Sequence, residues 1–467
     1  METRLEMPET NTSLDPAHAL AEHVVETTIE DVPEETIPAT RLDVLDTFGA
    51  ILGGSGAPGI RELTAVTERW GGLEEARLAV IGGKMPAHHA ALINSAMGHA
   101  LDFDDTYDKG GHVHPGTSVL AASLAIADSV GNVSGDQLML AATLGLDVSC
   151  RLGLAAHDDR GWHRTASFGI FGATAAAGKL IGLTKKQMVH AFGIAYSQAA
   201  GNRQCIVDGA LTKRFQAGQA AHGAVMSVFL AQQGFTGAEN VFAGRFGFFP
   251  MYQPEGYDLS IIDRGLGDEF LGDRISFKPY PCVRPSHAYI DAGIKLHNKL
   301  DLGRNAIESV IVRTDPRALA SRYNIASGNK KPTQQVEAQF SVPYLIGCAL
   351  ALGEVGIDQI NSFDDPTVLA AAALVKTEER PGTGMDHAEI KVVCVGGRTA
   401  TVELGPPSGS PENPLTVKQL QDKFSDCAKH AAHSIDQSAI TKIIALILSP
   451  DDLKDSSDLI QLTLTTK

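Results

Sequence analysis

The chain has 467 residues, of which 43% are apolar and 20% are charged, and its formal net charge is −16. This length predicts two or three domains. An acidic chain without a basic stretch is not expected to bind nucleic acid or an anionic membrane surface. No uncharged apolar run approaches about 20 residues, so we predict no membrane-spanning segment.

The six cysteines are scattered along the chain and form no C-x-x-C pair. This spacing indicates buried thiols in a reducing compartment rather than disulfides or a zinc ribbon. Residues 1–14 are acidic and polar, and they match neither a secretory signal nor a transit peptide. We therefore predict a cytoplasmic protein whose segment 1–14 is disordered.

The chain from residue 15 to about residue 267 predicts helices almost throughout. Apolar residues recur at helical spacing in the first of them, and Thr184 is a good N-cap for the segment that follows it. Residues 78–83 predict a short extended element and a turn, and residues 208–213 a polar loop. The predicted helices cover residues 17–27, 38–52, 59–70, 87–101, 118–127, 134–152, 168–181, 185–199 and 217–233.

Strand patterns appear in the part of the chain that follows. Residues 307–313 alternate as a strand, and two apolar runs flank Gly396-Gly397 as in a β-hairpin. The other predicted features are helices at 342–353 and 367–376, a linker rich in Pro, Gly and Ser at 405–414, and a helical region at 416–448.

These elements predict a mainly α fold, in which a smaller α+β domain is inserted into a large all-helical domain. The all-helical domain is expected to comprise residues 15–267 and 406–467, and the α+β domain residues 268–405.

Polar groups are concentrated between residues 97 and 117, which read MGHALDFDDTYDKGGHVHPGT. The stretch joins two apolar helical segments, so its carboxylates at Asp102, Asp104 and Asp105 are expected near the interior. Buried charges are costly unless they are paired, and such a density of titratable groups indicates a functional site. His112 and His114 follow on an H-x-H spacing. The alternative is that Asp104 and Asp105 cap a helix and His112 lies in an exposed loop.

Three further segments combine polar side chains with the start of a helix. They are Trp162-His163-Arg164-Thr165, the segment 211–221 with Lys213, and the segment 277–291 with Arg284 and His287. Taken alone, His163 is more often structural, and Lys213 would be a surface lysine. The helix that follows His163 offers an N-terminus that can bind an anion.

The motifs "GHALDFDDTYD…HVHPG", "GWH", "TKRFQAGQAA" and "KPYPCVRPSHAYID" resemble the MmgE/PrpD family, and together they cover nearly the whole chain. That family includes 2-methylcitrate dehydratases, cis-aconitate decarboxylases and iminodisuccinate epimerase. The resemblance implies a helical body with the α+β domain as a lid, a homodimer, and a site without cofactor or metal. It implies catalytic roles for Asp102, His114, Lys213 and His287, and substrate-binding roles for Thr106, His163, Arg284 and His112.

The resemblance predicts a cofactor-free lyase acting on a small di- or tricarboxylate. One pocket can host dehydration, decarboxylation and epimerisation, so the family does not settle the reaction. We rank 2-methylcitrate-type dehydration first, cis-aconitate-type decarboxylation second and epimerisation third. A divalent metal bound by the D-x-D-D and H-x-H groups is an alternative, although their spacing matches no recognised zinc or EF-hand site. A non-catalytic protein that binds a carboxylate metabolite is a further alternative, but a mere scaffold would leave four polar clusters unexplained.

Overall fold

The computed structural model describes residues 14–157, 160–302, 306–320, 330–384 and 387–464. Apart from Leu14, the segment predicted to be disordered lies outside these residues. The described chain is mainly helical, as predicted. Its helices are α1 (Pro16–Glu26), α2 (Thr36–Gly54), α3 (Ile60–Trp70), α4 (Ala87–Gly98), α5 (Pro115–Val130), α6 (Gly135–Ala155), α7 (Arg164–Leu180), α8 (Lys185–Tyr196), α9 (Gln204–Val207), α10 (Thr212–Gln232), α11 (Phe248–Tyr252), α12 (Ser260–Asp263), α13 (His287–Leu300), α14 (Pro316–Ala320), α15 (Gln335–Phe340), α16 (Val342–Leu352), α17 (Ile357–Asn361), α18 (Pro366–Ala373), α19 (Val417–Lys429), α20 (Gln437–Leu448) and α21 (Ser457–Gln461).

Local sequence explains where several of these helices begin. The hydroxyl of Thr184 accepts a hydrogen bond from the backbone N–H of Gln187, whose side chain caps Thr184 in return, and Ser134 and Thr416 form the same capping box at α6 and α19. Small residues then let the helices approach closely. A Cβ added at Gly218 of α10 would lie 2.4 Å from the carbonyl oxygen of Leu92 in α4. These two helices run side by side beneath the site described below.

The strands form two sheets. They are β1 (Ala76–Arg77), β2 (Lys84–Met85), β3 (Ile307–Thr314), β4 (Val375–Glu379), β5 (Ala388–Cys394) and β6 (Thr399–Leu404). The larger sheet has the order β4-β3-β5-β6, with β3 and β4 parallel and the other pairs antiparallel. The β5–β6 hairpin turns at Gly396 and Gly397, both with positive φ, as the sequence predicted. β4 was not predicted.

The described residues pack around separate hydrophobic cores. The largest core unites α1 to α8 and α10 with α19 and α20, which return to the helical body from the C-terminal part of the chain. A second core joins β3, β5 and β6 to α13 and α16, and a third lies between α13, α16 and α18. The predicted domain boundaries and the lid arrangement remain predictions.

Three details differ from the sequence-based expectations. Lys213 lies in the first turn of α10 rather than in a loop. The helical region predicted at 416–448 is two helices, α19 and α20, with a break between them. Finally, α6 is long and apolar enough to cross a membrane, but 89% of its most apolar window is buried inside the protein, so it is a core helix here.

Candidate active site

Asp102 lies at the centre of the site, in the turn that connects α4 to α5. Its φ of 52° is in the left-handed region, which Asp tolerates better than most residues. Lys213 Nζ lies 2.7 Å from Asp102 Oδ1, and Lys278 Nζ lies 3.2 Å from Oδ2 and 2.9 Å from the Asp102 carbonyl oxygen. Burial alone would raise the pKa of Asp102, but Lys213 and Lys278 hold it well below its usual value. Asp102 is therefore an ionised anchor for two buried ammonium groups.

His99 orients Lys213 from the other side. Its Nδ1 lies 2.6 Å from Asp104 Oδ2, so the carboxylate fixes the ring proton on Nδ1 and leaves Nε2 as an acceptor. Lys213 Nζ lies 2.9 Å from this Nε2 and donates to it. Asp104, His99, Lys213 and Asp102 thus form one continuous buried chain of hydrogen bonds.

His163 lies next to this chain, at the N-cap of α7. Its Nδ1 donates to Gln216 Oε1 at 2.8 Å, and its Nε2 is 3.3 Å from His99 Nε2. Burial, followed by the neighbouring His99 and Lys213, lowers the pKa of His163 well below its usual value. The ring is therefore neutral in the ligand-free protein.

His114 occupies the N-cap position of α5 and is partly buried. Its Nδ1 donates to the carbonyl oxygen of Asp105 at 2.5 Å, which leaves Nε2 as the basic nitrogen. Burial of the ring, and then Lys278, lowers its pKa to about 3. His112, by contrast, is exposed and has a left-handed backbone with φ 51°. This geometry favours His114 over His112 as the acid or base.

A pair of buried carboxyl groups, Asp43 and Asp105, lies next to the first turn of α5. Asp105 accepts the backbone N–H of Gly116 at 3.1 Å and is hydrogen-bonded to Asp43 of α2. Burial and then the charge of Asp46 raise the pKa of Asp43 to about 8, and burial and then Asp43 raise that of Asp105. The pair therefore retains a proton at neutral pH. A Cβ at Gly116 would lie 2.3 Å from Thr47 Oγ1, so this close contact requires glycine.

Arg284 forms another part of the site, just before α13. Its Nε donates to Asp108 Oδ2 at 2.9 Å, and its Nη1 donates to the Ser408 carbonyl at 2.8 Å and to His287 Nδ1 at 3.2 Å. His287 Nε2 donates to the Cys282 carbonyl at 3.2 Å. His287 is fully buried with both of its ring nitrogens engaged, and it does not line the cavity of the site. Its catalytic role stays a prediction.

The other predicted residues surround one cavity of about 360 Å³. Its wall includes seven of the eight residues predicted from the sequence: Asp102, Thr106, His112, His114, His163, Lys213 and Arg284. Among the described residues that line it, five are cationic (Arg164, Arg203, Lys213, Lys278 and Arg284) and two are carboxylates (Asp102 and Asp108). In a chain whose net charge is −16, this local excess of positive charge indicates a site for a small anion.

Sequence reasoning did not single out Lys278, His99 or Asp108. Lys278 stands within the KPYPC motif and His99 in the segment that was read for its carboxylates, so both were visible as letters. Their roles depend on contacts between residues that are far apart in sequence. Lys278 contacts Asp102, and His99 contacts Lys213. Asp108 was passed over because its partner, Arg284, is 176 residues away.

The fold and the cavity define a mainly helical protein whose cavity is lined by lysine, arginine and histidine side chains. Two family models match the chain, the MmgE/PrpD N-terminal domain over residues 18–259 and the MmgE/PrpD C-terminal domain over residues 280–448. The chain therefore belongs to the MmgE/PrpD family.

Alignments with curated relatives cover from 81% to 95% of this chain. The cis-aconitate decarboxylase of Aspergillus terreus is 26% identical over an alignment of 459 residues, which covers 93% of this chain and 92% of that protein. The cis-aconitate decarboxylase-like protein oryM of Aspergillus oryzae is 27% identical, over 95% of this chain and 96% of its own. The cis-aconitate decarboxylase of Mus musculus is 26% identical, over 81% and 79%. The prediction of an enzyme of the lyase class is confirmed.

Proposed function

We propose that this protein is a carboxy-lyase that acts on an unsaturated tricarboxylate of the cis-aconitate type. The observation that carries the proposal is the convergence of Lys213, Lys278 and Arg284 on one cavity of an otherwise acidic protein. The names of the relatives support decarboxylation over the dehydration that the sequence ranked first. Dehydration of a 2-methylcitrate-type acid, epimerisation of the iminodisuccinate type and simple binding become alternative outcomes of the test.

The two lysines have hydrogen-bonding capacity left for a substrate. Each ammonium group has three N–H donors. Lys213 uses one on Asp102 Oδ1 and one on His99 Nε2, while Lys278 uses two on the carboxylate and carbonyl oxygens of Asp102. Arg284 adds Nη2, which has no hydrogen-bond partner among the described residues. We assign these donors to the carboxylates of the substrate, with Thr106, His163 and His112 completing the binding site.

The proposed reaction exchanges one carbon–carbon bond for one carbon–hydrogen bond. Departure of CO₂ leaves an electron pair that moves through the adjacent double bond towards a second carboxylate. Lys213 and Lys278 stabilise the negative charge that develops there. A proton is then delivered to carbon. Each turnover consumes one proton, because the CO₂ that leaves is neutral and the carbon that it leaves is protonated. In the proposed reaction the donor already holds this proton when the substrate is bound.

His114 is the proposed proton donor. In the ligand-free protein its low pKa keeps it neutral. A bound polyanion attracts the protonated form and raises this pKa, so that Nε2 takes up a proton from water when the substrate enters. The imidazolium of His114 then protonates carbon and returns to its neutral form. Asp102 serves as an anchor for the lysines rather than as an acid, because its own pKa is far below neutral.

The test is a substrate panel with the purified chain. We expect cis-aconitate to release CO₂ stoichiometrically with an unsaturated dicarboxylate, and His114→Gln to lower kcat by about 100-fold or more. ¹³C NMR of the mixtures with cis-aconitate, 2-methylcitrate, citrate and iminodisuccinate distinguishes the reactions. Loss of water without CO₂ would establish the dehydratase alternative, inversion the epimerase alternative, and no turnover by a folded chain the binding alternative.

Three organisational expectations accompany this proposal. We propose that residues 268–405 act as a lid over the helical body, since β3, β5 and β6 belong to a core separate from that of the helices. We propose a homodimer, in line with the exposed apolar side chains of Trp70 on α3 and Met226 on α10. We also propose a cytoplasmic location.

A further inference from the structure

Three histidines meet outside the cavity, where α4 and α10 cross. His88 and His89 lie in the first turn of α4, and His222 lies in the middle of α10. Each offers one ring nitrogen, and the three nitrogens lie within 4.8 Å of one another. The ring centroid of His88 is 4.2 Å from that of His89 and 4.9 Å from that of His222. The histidine trio plays no part in the proposed reaction.

The protein itself leaves this trio poorly satisfied. His89 is only 8% exposed, and its Nδ1 is buried without a hydrogen-bond partner among the described residues. His222 Nδ1 has a long contact of 3.4 Å with Gln219 Nε2. Three imidazoles that converge on one point, with a buried nitrogen that lacks a partner among the described residues, are a ligand set for a metal ion.

We propose that His88, His89 and His222 bind one divalent transition metal ion, with Zn²⁺ as the reference ion. Zinc accepts imidazole nitrogens at about 2.0–2.1 Å in tetrahedral geometry, and three such ligands leave the fourth position for water. Tetrahedral bonds of that length separate the nitrogens by about 3.3 Å. The trio therefore has to contract by at most about 1.5 Å to reach this geometry.

The ion would tie together the two helices that support the active site. His99 follows the last turn of α4, ten or eleven residues beyond the trio, and Lys213 lies nine residues before His222 on α10. At a rise of 1.5 Å per residue, the metal site is roughly 15 Å from the cavity. The ion is therefore structural: it stabilises the crossing of α4 and α10 and does not touch the substrate.

The test uses the full chain in its own oligomeric state, stripped of metal with a chelator and titrated with Zn²⁺ by calorimetry. We expect about one tight equivalent per chain. Removal of an outer-shell partner of a metal site already weakens binding 10–100-fold, so His222→Ala should weaken it by about 100-fold or more. The exposed His433→Ala is the matched control and should bind Zn²⁺ as the wild type does.

Two further measurements keep the result unambiguous. Zinc should raise the melting temperature of the wild type and of His433→Ala but not of His88→Ala, and X-ray absorption should show imidazole scattering around the bound zinc. Equal Zn²⁺ binding by the wild type and by a folded His222→Ala or His88→Ala, or no stoichiometric binding by the wild type, would overturn the proposal. Because zinc is the probe throughout, the outcome does not depend on the substrate or the reaction.

Discussion

Replacement of Lys213 by methionine tests the centre of the proposed site. The substitution keeps an unbranched side chain that is one atom shorter and removes its charge. It deletes the donors to Asp102 Oδ1 and His99 Nε2, together with the N–H that we assign to the substrate. Loss of one such preorganised electrostatic contact costs about 10²–10³ in kcat, or roughly 2.7–4 kcal/mol. We therefore expect Lys213→Met to turn over at most about 1% as fast as the wild type.

The structure also limits how much stability this variant loses. At an effective dielectric constant of 20, the attraction over the 2.7 Å between Lys213 Nζ and Asp102 Oδ1 is about 6 kcal/mol, and that over the 3.2 Å to Lys278 Nζ is about 5 kcal/mol. Asp102 thus keeps one close cation after the substitution. Breaking a buried pair outright costs about 3–5 kcal/mol, so Lys213→Met should fall near or below the lower end of that range.

Lys423 of α19 supplies the matched control. It is equally buried, and its Nζ lies 2.6 Å from Asp46 Oδ1 and 2.7 Å from the Phe103 carbonyl, but it does not line the cavity. Lys423→Met should therefore lose as much stability as Lys213→Met, or more, while kcat stays within about threefold of the wild type. Initial rates are measured below the melting temperature of both variants, with unfolding followed by circular dichroism.

Either of two results would refute this reasoning. One is a folded Lys213→Met variant that keeps more than about a tenth of wild-type turnover, because Lys213 would then not contact the reacting substrate. The other is an equal loss of turnover in Lys423→Met, because the activity would then depend on general stability rather than on the charge inside the cavity.

Two other groups give further predictions. His99→Leu removes the acceptor that orients Lys213 and should lower kcat by about 100-fold, the effect of a small misplacement. His99→Gln retains an acceptor and should recover part of the lost kcat. Equal rates in both variants would argue against an orienting role. The pKa of Asp43 is raised to about 8 in the folded state, whereas in the unfolded state this carboxyl group has its ordinary pKa near 3.8. Between these two pH values the folded state holds a proton that the unfolded state has released. Wild-type stability should therefore fall as pH rises from about 4 through about 8, and Asp43→Asn should flatten this decline in melting temperature; an unchanged slope would show that Asp43 does not hold the proton.

Much of the helical plan is present in local sequence. Capping residues such as Thr184 and apolar periodicity specified most helices of the first part of the chain, and alternation specified β3, β5 and β6. β4 was missed because an Ala-rich helix runs directly into it, and its strand conformation depends on parallel pairing with β3, 65 residues away in sequence between Val310 and Val375. Pairing of this kind leaves no local signal.

The same contrast between local sequence signals and long-range contacts applies to the site. Its members were recognisable from polar clusters and family motifs, and seven of the eight predicted residues line one cavity. Their order around it was not predictable, because it depends on contacts such as Lys213 with Asp102, 111 residues apart, and Lys278 with Asp102, 176 residues apart. His287 failed as a cavity residue for a related reason: the short turn at Arg284–Ser286 places arginine, not histidine, at the surface of the pocket.

The walls of the cavity come from parts of the chain that are packed independently. Lys213 stands on a helix of the large core, whereas Ala288 belongs to the core of the four-stranded sheet. Under the proposed lid arrangement, turnover would depend on the alignment of these two cores, and we expect a small displacement between them to lower the catalytic rate while each core stays folded. Catalytic rate should then report a displacement that a spectroscopic measure of helix content does not.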